Sequence, residues 1–136
     1  MIVVFGTVCI DRLRGVPELP APGGYVEALW EEVLLGGEAA NTANALRAWG
    51  DSPTLVTHPL GDDLDGEILR SLVHARGLDP IELRRETALS LRAEPGAGGA
   101  ATPVCDVYIT PDGERTMFGK GFTDSERELS LDRLPL

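Results

Sequence analysis

A chain of 136 residues with a net charge of −10 has the length for one domain with a single core, and 43% hydrophobic against 25% charged residues describes an ordinary globular protein. The negative charge repels phosphate backbones and anionic headgroups, so nucleic acid and membrane surfaces are not expected partners. No apolar run approaches the ~20 residues of a membrane span, the start lacks the basic residues of a signal peptide, and Cys9 and Cys105 stand alone with no CxxC or histidine cluster. A cytoplasmic protein without a metal site is expected.

Ile2-Val3-Val4-Phe5 is a continuous apolar run, as in a strand buried on both faces of an α/β sheet. Asp11 follows just beyond its carboxyl end, where open α/β sheets place ligands; the plainer alternative is a turn residue or a surface charge. Residues 16–24 hold three prolines and two glycines and read as a loop. Residues 25–35 alternate imperfectly and predict a half-exposed strand on a small sheet.

Gly36-Gly37 ends that run and opens an alanine-rich helix over residues 38–49, with Ala39, Ala40, Ala43, Ala45, Leu46 and Trp49 among its apolar positions and Gly50 as its stop. Paired glycines let a backbone approach a ligand, and the helix start directs free N–H groups and a positive dipole end at the same place. Asn41, one turn in, adds an amide on the side of Gly37. Such a site suits a ligand rich in hydroxyl or anionic oxygens; the plainer alternative is that the glycines merely turn a strand into a helix.

Residues 54–58 form a second core strand, and Gly61-Asp62-Asp63 opens a helix to about residue 75 with Ile68, Leu69, Leu72 and Val73 on its apolar face. Asp62, Asp63, Asp65 and Glu67 lack the spacing of a calcium loop and are better read as helix caps. His58 and His74 have no nucleophile partner and are read as structural. From Pro80 the helix–strand alternation lapses; residues 88–93 are a possible short strand and residues 94–101 a glycine–alanine loop. Residues 104–110 and 114–118, joined by Pro111-Asp112-Gly113, form a hairpin, and Ser130 caps a possible closing helix. Strand and helix alternating early in the chain predict an α/β fold with a mostly parallel sheet.

Five stretches in order carry a resemblance: Gly6-x-x-x-x-Asp11, Leu19-Pro20-x-Pro22-Gly23, Gly36-Gly37-x-x-x-Asn41, Gly61-Asp62-Asp63-x-x-Gly66 and Asp112-Gly113-Glu114-Arg115-Thr116. Together they resemble the amino-terminal part of the ribokinase-like (PfkB) carbohydrate kinases. The resemblance implies a mostly parallel sheet flanked by helices with a small β-sheet lid, the core at residues 1–11, 36–80 and 119–136 and the lid strands at 12–35 and 88–118. It implies phosphoryl transfer from ATP, with Mg, to a hydroxyl of a sugar, sugar acid or nucleoside. Asp11 matches the acid that grips substrate hydroxyls, and Gly36, Gly37 and Asn41 match the sugar-binding box. Cys9 takes the place of an asparagine in ribokinase-type relatives, which implies a substrate other than ribose.

The family's catalytic base is the Asp of a Gly-Ala-Gly-Asp box in the carboxy-terminal, nucleotide-binding half. Gly96-Ala97-Gly98-Gly99 carries glycine at the Asp position and precedes the hairpin. The expectation is therefore that this half is absent, that no catalytic residue lies in this chain, and that the chain alone binds neither ATP nor Mg. The expected partners are the missing half or a second copy, through the lid or a sheet edge. The alternative is a non-catalytic ligand-binding or self-associating module derived from the fold.

Overall fold

The computed structural model describes residues 1–83 and 101–122. Among these, two sheets and two helices divide the chain. The first sheet is parallel throughout: β1 (Val3–Phe5), β4 (Thr54–Thr57) and β5 (Ile81–Glu82), in the order β1-β4-β5. The second is four-stranded, in the order β3-β2-β6-β7, from β2 (Cys9–Gly15), β3 (Trp30–Gly36), β6 (Val104–Ile109) and β7 (Arg115–Lys120). Its outer pairs are antiparallel, and β2 and β6 run parallel at its centre, with Asp11 opposite Leu34 on one side and Cys105 on the other.

Helix α1 (Glu38–Ala48) lies against β1 and β4 because its buried face is Ala39, Ala40 and Ala43, small enough for close approach to Val4, Val8 and Leu55. Trp49, expected on that face, is 80% exposed. At 3.6 residues per turn it projects roughly 130° from the centre of the buried alanine arc, away from the core. Helix α2 (Leu64–Ala75) turns Leu69 and Val73 into the same core, with Leu72 partly buried and Ile68 at the margin. Ile10 and Val104 reach that core from the second sheet, so one apolar cluster joins both sheets.

Three further expectations are corrected. The strand predicted over residues 25–35 begins only at Trp30, because its partner β2 ends at Gly15 and the proline-rich loop beyond offers no ladder; Tyr25 and Leu29 stay exposed. Strand–helix alternation does not lapse at Pro80, since Ile81 and Glu82 pair in parallel with Val56 and Thr57. Asp11 is not in a loop beyond β1 but inside β2, because the chain turns at Gly6 and restarts as a strand at Cys9. The readings at residues 88–93 and 130–134, and the Gly96–Gly99 stretch, lie outside the described residues.

The two sheets are tied at the start of α2. Asp63 is its N-cap, accepting from the Gly66 N–H at 2.9 Å, and the same carboxylate accepts from the Thr102 hydroxyl and from the Thr102 N–H at 3.2 Å. Thr102 is fully buried, and its hydroxyl also lies 2.9 Å from the carbonyl of Leu60. Asp65, two residues on, pairs with Arg12 of β2. Burial opposes ionisation of Asp63, but the hydrogen bonds from Thr102 and Gly66 outweigh it and hold the carboxyl below its ordinary value.

A carboxyl lowered on folding stabilises the fold above its unfolded value near 4, and that contribution is lost as pH falls through the lower folded value. Urea unfolding should show Asp63→Ala and Thr102→Val each costing about 1–3 kcal/mol at pH 7. The two losses should add to less than their sum, and Asp63→Asn should remove this part of the acid-side loss of stability. Full additivity would show that the two residues act apart.

Candidate functional site

Three elements meet at Gly36-Gly37. Strand β3 ends at Gly36, α1 begins with Gly37 as N-cap, and the β1–β2 connection passes beneath. Gly37 has φ +94°, and a Cβ there would run into the backbone of Thr7 and Val8. A side chain at this position is excluded both by conformation and by space. The close approach lets the Ala39 N–H donate to the Thr7 carbonyl at 3.2 Å, which seats the first turn of α1, left without a side-chain cap, on that loop. At Gly36 the obstacle is different: a Cβ there would fall on the carboxylate of Asp11.

The structure thus brings Asp11, Gly36, Gly37 and Cys9 together. Cys9 pairs with Gly36 in the ladder and its thiol donates to Asp11 Oδ1 at 3.4 Å. Burial first, then the negative charge of Asp11 and that hydrogen bond, push the Cys9 thiol far above its ordinary value, so it is a protonated donor and not a nucleophile. Cys105, on the other flank of Asp11, is raised by burial and by Asp11 and Asp106. Among the described residues Asp11 enters no ion pair. Asn41 lies in the first turn of α1 and is exposed, with no hydrogen bond joining its side chain to Asp11.

Two positioning residues carry no motif. His58 is buried, accepts the Val8 N–H at Nε2 (3.3 Å), and places Nδ1 at 2.8 Å from the Pro59 carbonyl, which fixes the chain just before Cys9. Thr57 donates from its hydroxyl to the Gly6 carbonyl at 2.8 Å and holds the turn out of β1. The only sequence signal for either is a polar residue at the end of an apolar strand. Asp62, Asp63, Asp65 and Glu67 bring no ligand cluster: among the described residues no three His, Cys, Asp or Glu side chains could share a metal ion. No helix among them is long and apolar enough to cross a membrane.

What this arrangement can do is accept hydrogen bonds from ligand hydroxyls. A carboxylate with one oxygen partly engaged by a thiol keeps capacity for further donors, and charge-assisted bonds of this kind contribute about 1.5–3 kcal/mol each. Gly36→Ala should displace Asp11, cost about 1–3 kcal/mol in urea unfolding and raise the reaction rate of Cys9 with a thiol reagent. In the unsubstituted chain Cys9 should react more slowly than the half-buried Cys105. Equal rates for the two thiols before substitution would contradict this geometry.

No family model matches the chain. A curated Dictyostelium discoideum protein named as an uncharacterized sugar kinase is 35% identical over 134 residues, covering 93% of this chain and 38% of its own length. The structure of ribokinase from Giardia lamblia superposes with TM-score 0.68 at 19% identity over 88% of this chain and 35% of its own. Arabidopsis thaliana ribokinase, solved with ribose and ATP, does so with TM-score 0.61 at 20% identity over 88% and 35%. The chain spans little more than a third of the length of each of these proteins. In sequence and in fold, what it resembles is the amino-terminal part of the ribokinase-like carbohydrate kinases.

Proposed function

We propose that the chain is the substrate-binding and lid part of a carbohydrate kinase that transfers a phosphoryl group from ATP to a hydroxyl of a sugar, sugar acid or nucleoside. The observation that carries this reading is the Asp11 carboxylate seated over the Cβ-free Gly36, at the point where the second sheet passes into α1. In this reading the second sheet is the lid, Asp11 holds acceptor hydroxyls, and the Gly36-Gly37 backbone lets the ligand come close. Asn41 and Cys9 complete the rim. The chain's own chemistry is to bind and orient the acceptor for in-line attack and to shield it from water.

The nucleotide and the catalytic base belong, by the resemblance, to the part of the fold beyond this match. Among the described residues no cluster of His, Cys, Asp and Glu fits Mg. Losing a general base removes about 10²–10⁴ in rate, and a missing nucleotide pocket removes the co-substrate. The pure 136-residue chain is therefore expected to release no ADP above background from ATP and a sugar panel. A cytoplasmic setting goes with this reading.

A second reading, a self-associating module without catalysis, is favoured by one observation. Strand β7 is the outer strand of the second sheet, and its Met117 and Phe118 are each 60% exposed. Sedimentation would separate it, since a monomer at high concentration removes it.

For the first reading, a matching ligand should raise the melting temperature by mass action, and Asp11→Asn should abolish the rise without changing the ligand-free melting temperature by more than a few degrees. No rise across pentoses, hexoses, sugar acids and nucleosides would sink the binding site.

A further inference from the structure

The side chains around Asp11 limit what it can hold. Register partners share a face of a sheet, so Asp11 stands with Leu34 of β3 and Cys105 of β6 in one row. The next row, roughly 7 Å along the strands, holds Leu13 and Val107, with Met117 beside them on β7. Cys9 and Gly36 close the row behind. Every same-face neighbour in Asp11's row and behind it is therefore apolar or a protonated thiol.

The charged groups of β2 lie on the opposite face, where they satisfy one another. Arg14 pairs with Glu31 and Asp106 and covers the Tyr108 ring, and Arg12 pairs with Asp65. Among the described strand residues the charged ones on Asp11's own face are Glu32, one row on at the β3 side, and Arg115, at the far corner on β7.

Two ligand classes fit this face poorly. A sugar acid or sugar phosphate would bring its anion against Asp11 with no cation beside it among the described residues, in a chain of net charge −10. A free polyol would lay several hydroxyls on the half-buried Leu13 and Leu34, and each hydroxyl desolvated without a partner weakens binding. A neutral ligand with hydroxyls gathered at one edge and a flat apolar body beyond fits both constraints. That is the shape of a nucleoside, its sugar hydroxyls at Asp11 and its base over the half-buried Leu13 and the exposed Met117.

Resting on the reading of Asp11 as the hydroxyl-binding acid, we infer that this chain's half of the site selects nucleosides over free sugars and sugar acids. The test is an amide NMR titration of the 136-residue chain with adenosine, uridine, D-ribose and D-gluconate. At least one nucleoside should bind about tenfold or more tighter than ribose, from the apolar area that only the base covers. Gluconate should be weakest. Met117→Gln, at an exposed position, should weaken the nucleoside severalfold and leave ribose unchanged, whereas Asp11→Asn should weaken both. Ribose or gluconate binding as tightly as the nucleosides, with Asp11 still required, overturns the nucleoside inference while leaving the site intact. Binding that is absent, or indifferent to Asp11→Asn, overturns the site and the inference with it.

Discussion

The fold turns on two adjacent positions that admit no side chain. At Gly36 the Asp11 carboxylate occupies the space a Cβ would take, and at Gly37 the Thr7 backbone does. Between them the chain leaves the second sheet and enters the helix that packs on the first. The alanine face of α1 can reach Val4 and Leu55 only because the helix starts this close to the β1–β2 turn. A single backbone constraint therefore couples the candidate ligand group to the packing of the core. It also explains why the site sits on the sheet-to-helix junction rather than on the loops at either end.

How much of this could be read from residues alone follows from how local each signal is. Both helices and the 104–120 hairpin were legible because their punctuation is local: Gly37, Gly50 and Asp63 mark helix ends, and Asp112-Gly113 marks a turn. Strand β2 was not. Its partner β6 lies far along the chain in parallel, and its sequence Cys-Ile-Asp-Arg-Leu-Arg-Gly mixes buried and charged residues, because one face meets the core and ion pairs while the other carries Asp11. Pairings of that kind depend on tertiary contact and leave little trace in periodicity. Asp11 and Gly36 could be named from the resemblance; that the one fills the space left by the other could not. Trp49 misled because hydrophobic character was counted without its helical angle.

The two faces of the second sheet divide the chain's charge. On one face Arg14 pairs with Glu31 and Asp106, and Arg12 pairs with Asp65 of α2. Both arginines of that face are paired within the protein. The other holds a carboxylate whose side-chain partner among the described residues is the Cys9 thiol, a weak donor that satisfies it only in part. In a chain with almost twice as many acids as bases, 22 against 12, a carboxylate left out of the ion pairs is the ordinary case; one left out on a half-buried apolar face is not. The asymmetry between the faces singles out Asp11 more strongly than the motif does.

The same reasoning changes what the acids of α2 mean. Asp63 reads as a helix cap, and it is one, but capping Gly66 leaves a carboxylate most of its accepting capacity. Thr102, arriving at the head of β6, takes up that remainder with its hydroxyl and its N–H. Asp65, the next acid, turns to Arg12 of the neighbouring strand. The first turn of α2 thus fixes both central strands of the second sheet against the core, on either flank of the rows that carry Asp11 and Leu13. A helix start that satisfies only its own N–H groups would leave β2 and β6 held to the core by the apolar contacts of Ile10 and Val104 and by the Gly36-Gly37 junction. Apolar contact sets distance well and orientation poorly, whereas paired carboxylates set both. The orientation of the Asp11 face relative to Gly36 is therefore decided in part by two acids of α2 that belong to the opposite face of the sheet.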